Sequence, residues 1–118
     1  MRILLVDDEP DLRSTMKLLL EMDGHHVDVA ANGREAVQTA TVRVPDVIVM
    51  DLNMPVMDGV SAARILRQHP VTQGVTIIAL SAFLSQGDWR ERALTAGCGY
   101  CLAKPVDWPH LRSLLSRL

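Results

Sequence analysis

Two stretches decide the fold: MRILLVDDE at residues 1–9 and VIVMD at residues 47–51. Each holds a short unbroken apolar run, residues 3–6 and 47–50, cut off by acids: Asp7, Asp8 and Glu9 in the first, Asp51 in the second. Runs of this length with no polar alternation suit strands covered on both faces of a parallel sheet. Residues 75–80, VTIIAL, repeat the pattern and end at Ser81. Residues 26–30 alternate through Val27, Asp28 and Val29, and residues 100–103 form a short run; both read as edge strands.

Helical periodicity fills the intervals. Leu12, Met16, Leu19 and Leu20 fall on one face. Asn32 with Glu35 three residues on marks a helix start ahead of Ala36, Val37 and Ala40. Asp58 caps a helix carrying Val60, Ala63 and Leu66, and Trp89, Ala93 and Ala96 fit a fourth helix ended by Gly97. Asp107 caps the last, where Pro109 is tolerated in the first turn and Leu111, Leu114, Leu115 and Leu118 make the stripe. Five strands alternating with five helices predict an α/β fold, a doubly wound parallel sheet of flavodoxin-like order 2-1-3-4-5 with helices on both faces. Strands one and three then lie side by side, and ligands bind beyond their carboxyl ends.

At 118 residues the chain reads as one domain, 1–118. Hydrophobic residues are 48% and charged residues 22%, a balance that argues against a disordered chain. A net charge of −2 leaves no basic stripe for direct nucleic-acid binding. No apolar run approaches the roughly 20 residues of a membrane helix. The acids at residues 7–9 interrupt the first apolar run too early for a signal peptide, so a cytoplasmic location is expected. Two cysteines make no disulfide framework, and aromatics at 3% leave an aliphatic core.

The strand ends carry the chemistry. Asp7 and Asp8 follow strand one, Asp51 strand three, Ser81 strand four, and Lys104 with Pro105 strand five. Three carboxylates in one crevice repel unless a cation intervenes, and hard oxygen ligands favour Mg²⁺, with Mn²⁺ as its substitute. Lys104 supplies a flexible charge that can pair with a carboxylate and then with a phosphoryl oxygen, and Ser81 a hydroxyl donor. Asp51 can then act as the nucleophile and form an acyl phosphate.

MRILLVDDEPD, then DLNMPVMDG, then LSA, then AKP resembles the receiver domain of bacterial response regulators, in order and over the whole chain. The resemblance implies that Asp51 accepts a phosphoryl group from a sensor histidine kinase or histidine phosphotransfer protein. It implies that Asp8 binds Mg²⁺ directly, that Asp7 assists through water, and that the Asn53 backbone carbonyl is the third protein ligand. Ser81 and Lys104 match the family's hydroxyl and lysine, Pro105 its usually cis-linked proline, and Pro55 and Gly59 the loop that shapes the site, glycine there being read as a conformational need. Receivers often pass the signal to a downstream protein through the last two helices and last strand. The family often has Tyr or Phe three residues before the lysine; here Cys101 stands there, after Tyr100. Either Ser81 and its following loop carry the switch alone, or Cys101 makes a smaller movement. Asn53 and Phe83 hold the positions that tune acyl-phosphate hydrolysis in the family, and Phe83 is expected to shield the attacking water.

Other readings weigh less. A haloacid-dehalogenase-type phosphatase needs a second Asp two residues after the nucleophile, where Asn53 stands. A pseudo-receiver acting only by interaction would not need an intact site, and a flavin module would want a phosphate loop where the acids lie. Glu9 and Asp11 read as first-turn acids. Cys98 and Cys101 have C-x-x-C spacing but no helix N-terminus and no second ligand pair, so buried small residues are expected. His25, His26, His69 and His110 show no metal-binding spacing. Trp89 and Trp108 are either partial core residues or a partner anchor.

Overall fold

The computed structural model describes residues 1–83 and 86–118. Among them lie five strands, β1 Arg2–Val6, β2 His26–Ala30, β3 Val47–Asp51, β4 Thr76–Ser81 and β5 Tyr100–Ala103. They alternate with helices α1 Pro10–Met22, α2 Gly33–Val42, α3 Gly59–Gln68, α4 Trp89–Ala96 and α5 Trp108–Ser116. The sheet is parallel throughout, in the order β2-β1-β3-β4-β5.

Side chains alternate faces along each strand, so every central strand feeds two cores. Leu4, Val6, Ile48, Met50, Ile77 and Ala79 meet α2, α3 and α4 on one side. Ile3, Leu5, Val47, Val49, Ile78 and Leu80 meet α1 and α5 on the other. Full burial of each large aliphatic chain contributes roughly 1.5–3 kcal/mol, which explains why the three central strands show no polar alternation. Trp89 packs half-buried against the first core and Trp108 against the second.

The helix starts follow the expected caps. Asn32 accepts the Glu35 N–H at 2.9 Å, Asp58 that of Ser61 at 2.8 Å, and Asp107 that of His110 at 3.2 Å. Gly97 ends α4 in the left-handed conformation at φ 108°. Three boundaries differ from the sequence reading. Val75 lies outside β4 because its N–H closes a turn onto the Thr72 carbonyl. Strand β3 runs one residue further and takes in Asp51, which sits opposite Leu80 in the ladder. The α5 stripe stops at Leu115: Arg117 and Leu118 bond back only three residues as the helix ends, leaving Leu118 exposed.

The two edge strands differ in what they present. On β2, Asp28 points toward the α2 side and meets the Arg43 guanidinium at 3.5 Å, while β5 has four residues and exposes Tyr100.

Gly59 is required for space rather than for backbone freedom. Its φ is not positive, but a Cβ there would lie 2.5 Å from the Asp51 carbonyl oxygen and 2.8 Å from the Leu52 Cα. Both are backbone atoms that cannot turn aside. Gly59→Ala is expected to lower unfolding free energy by about 1–3 kcal/mol in urea titrations. Gly74→Ala, with open space around the new methyl group, should stay within about 0.5 kcal/mol of wild type.

Candidate functional site

The parallel ladder brings the carboxyl ends of β1, β3, β4 and β5 to one rim. Asp51 and Ser81 are the last residues of their strands, Asp51 paired with Leu80 of β4 and Ser81 with Ala103 of β5. Asp7 follows β1 directly, and its N–H donates to the Ala30 carbonyl at 3.2 Å. Lys104 follows β5, its N–H donates to the Ser81 carbonyl at 2.9 Å, and the Lys104–Pro105 peptide is cis.

The side chains then converge. The Lys104 ammonium lies 3.0 Å from Asp7 Oδ2 and 3.0 Å from Asp51 Oδ2. Asp7 Oδ1 accepts the Glu9 N–H, and Asp51 Oδ1 accepts the Asn53 N–H, each at 2.9 Å. The Ser81 hydroxyl donates to Asn53 Oδ1 at 2.9 Å and accepts the Phe83 N–H at 3.0 Å. Asp8 stands exposed at the mouth, and carboxylate oxygens of Asp7, Asp8 and Asp51 all lie within 4.8 Å of one another.

Two buried carboxylates so close repel by about 3–4 kcal/mol at an effective dielectric constant of about 20. Burial pushes the Asp51 carboxyl above its ordinary range; the Asn53 N–H and Lys104 pull it back, and the Asp7 charge adds to the rise. Burial works against the Lys104 ammonium, yet the hydrogen bonds and charges of Asp51 and Asp7 outweigh it and raise its pKa. The rim therefore holds a firmly charged lysine between acids under strain, with a third acid at the opening. Hard oxygen donors in this arrangement suit a small divalent cation.

The loop from β3 to α3 supports the cluster. Met57 donates to the Pro55 carbonyl at 2.9 Å across Val56, which has φ 70°, the positive φ of a non-glycine residue among the described residues. This is a γ-turn of the rare, strained hand. The Met57 carbonyl accepts the Gly33 N–H and the Leu52 carbonyl that of Gly59, each at 3.0 Å, so the loop is sewn to the starts of α2 and α3.

The pattern of the response regulator receiver domain family matches residues 3–116. The chain belongs to this family. It is 37% identical over 117 residues to the signal transduction histidine-protein kinase BarA of Escherichia coli, covering 99% of this chain and 13% of that protein. It thus spans about an eighth of that relative. The crystal structure of the receiver domain of the sensor histidine kinase PA1611 of Pseudomonas aeruginosa, with magnesium coordinated in its active-site cleft, superposes with TM-score 0.90. Identity is 40%, covering 98% of this chain and 94% of that one. The Saccharomyces cerevisiae Ssk1 receiver, crystallised with the histidine phosphotransfer protein Ypd1, gives TM-score 0.89 and 31% identity over 98% of this chain and 86% of that one. The chain is a receiver domain of the two-component and phosphorelay type.

In this receiver, Asp7, Asp8, Asp51, Asn53, Ser81 and Lys104 meet at one rim. Phe83 touches the cluster through its backbone, while its ring is exposed. Cys101 packs half-buried against the core beside α4, and Tyr100 points outward. Burial pushes the Cys98 thiol up to about 12 and also raises that of Cys101, opposite to what redox cysteines require. Glu9 is the N-cap of α1 without a side-chain cap bond, and Asp11 lies in its first turn. The sequence reading missed Arg13, whose Nη1 donates to the Asp7 carbonyl at 2.7 Å and braces the end of β1. Its placement early in α1, facing back toward the strand it follows, is the signal that could have found it.

Because Lys104 favours the ionised form of Asp51, Lys104→Met should raise the Asp51 pKa further. Carbon-13 NMR titration of the aspartate carboxyl in metal-free buffer would show it, and an unchanged or lowered midpoint would contradict the arrangement.

Proposed function

We propose that Asp51 is the phospho-acceptor of this receiver. The observation that supports it most is the placement of Asp51 at the end of β3, bonded to Lys104 and grouped with Asp7 and Asp8. An Asp51 oxygen attacks the phosphorus of a phosphohistidine on a sensor histidine kinase or histidine phosphotransfer protein. The O–P bond forms as the P–N bond breaks, and the histidine leaves with the electron pair and takes up a proton. The result is an acyl phosphate on Asp51.

Mg²⁺ or Mn²⁺ suits the acid cluster, with Asp8 as direct ligand, Asp7 through water, Asp51, and the Asn53 backbone carbonyl completing the protein's share. When bound, such an ion neutralises charge developing on the phosphoryl oxygens. Lys104 transfers its hydrogen bond from the Asp51 carboxylate to a phosphoryl oxygen, and Ser81 donates its hydroxyl to another. The added charge biases an existing equilibrium between arrangements of the loop after β4. That change reaches a downstream protein through α4, β5 and α5, where Leu94 and Tyr100 are exposed and Trp89 and Trp108 lie half-buried. Cys101 replaces the family's switching aromatic, which leaves the motion to Ser81 and its loop.

In this reading residues 1–118 form one receiver unit working in the cytoplasm. It catalyses its own phosphorylation and slow autodephosphorylation and turns over no separate substrate. Among the described residues no helix is long and apolar enough to cross a membrane.

Incubation with Mg²⁺ and acetyl phosphate should give one phosphoryl adduct by intact mass. Asp51→Asn or chelation of the metal should abolish it, and an adduct that survives Asp51→Asn would refute the assignment. Phe83→Ala should speed decay of the adduct several-fold by opening the path for water; decay no faster than wild type would remove Phe83 from that role.

A further inference from the structure

The Ser81 hydroxyl is already occupied. It has one proton to give, and that proton goes to Asn53 Oδ1 at 2.9 Å. Its oxygen accepts the Phe83 N–H at 3.0 Å, and the residue is fully buried. Its backbone cannot move to free the hydroxyl: Ser81 is paired with Ala103, and its carbonyl accepts the Lys104 N–H. A phosphoryl oxygen on Asp51 can therefore receive the Ser81 proton only if the side chain rotates away from Asn53.

We propose that the Asn53 carboxamide is a positioning group that latches Ser81 in the unphosphorylated state, so that phosphorylation must displace Asn53 to recruit the hydroxyl. The inference rests on the reading of Asp51 as phospho-acceptor and adds an assigned off-state partner for Ser81. The latch is a hydrogen bond between neutral groups, whereas a phosphoryl oxygen offers a charge-assisted bond of roughly twice the strength. The exchange is therefore favourable once Asp51 is phosphorylated and unfavourable before.

Rotation of Ser81 also withdraws the acceptor from the Phe83 N–H. The Phe83 carbonyl holds the Gln86 N–H at 2.9 Å, two residues before Asp88, the N-cap of α4. Loss of one part-buried hydrogen bond thus reaches the start of α4. Asn53 joins both halves of the device, since its own N–H orients Asp51 while its side chain restrains Ser81.

The test is the Phe83 amide resonance of nitrogen-15-labelled full chain, combined with phosphorylation by acetyl phosphate and Mg²⁺. In wild type the resonance should move when Asp51 is phosphorylated. In Asn53→Ala, which keeps the backbone N–H, it should be displaced toward that position without phosphodonor, and the phosphorylation rate should rise about threefold to tenfold, the worth of a neutral hydrogen bond. Asn53→Asp restores an oxygen acceptor and should return the resonance to its wild-type place. A wild type that moves on phosphorylation beside an Asn53→Ala chain whose Phe83 resonance is unchanged overturns the latch alone. A wild type that takes no phosphoryl group on Asp51 overturns the functional reading and the inference with it.

Discussion

The Lys104 ammonium between Asp7 and Asp51 is the contact on which the rim depends. It joins residues 97 and 53 positions apart, at the ends of three different strands, with 3.0 Å contacts to both acids. Without a cation there, two carboxylates under a buried rim would repel by several kcal/mol, a large part of the stability of a domain this size. One consequence is that Asp7 Oδ2 and Asp51 Oδ2 both have a hydrogen-bond donor. The other is that the lysine sits where it can transfer to a new anion without crossing the site.

The parallel sheet makes this convergence possible. Each strand delivers its last side chain to the same edge, and the ladder fixes those residues to within the tolerance of backbone hydrogen bonds. Chemistry is then confined to side-chain rotations and to the loops leaving the rim. The turn at Val56 and the close approach at Gly59 shape one of these loops, which hydrogen bonds tie to the starts of α2 and α3. Beyond Ser81, the Phe83 N–H donates to the Ser81 hydroxyl and the Gln86 N–H to the Phe83 carbonyl.

Much of this was legible in the residues. The apolar runs of β1, β3 and β4, the caps at Asn32, Asp58 and Asp107, and the grouping of Asp7, Asp8, Asp51, Ser81 and Lys104 all follow from patterns set by local burial and strand order. What escaped depends on three-dimensional contact between distant residues. The Asn53 carboxamide meets Ser81 across 28 positions, and Arg13 reaches a backbone carbonyl, which leaves no trace in side-chain pattern. From sequence Gly59 reads as a conformational glycine, because the backbone that crowds it, at Asp51 and Leu52, is brought there only by the fold. Periodicity alone places Leu118 on the α5 stripe, since it does not register where a helix ends.

The two sheet rims bear on how such a unit behaves when many copies are crowded together. Open strand edges recruit other strands, and a flat apolar edge invites fibrils. Here one border carries an ionic pair at Asp28 and the other is too brief to template a neighbour. Self-stacking through strand edges is therefore discouraged at both margins.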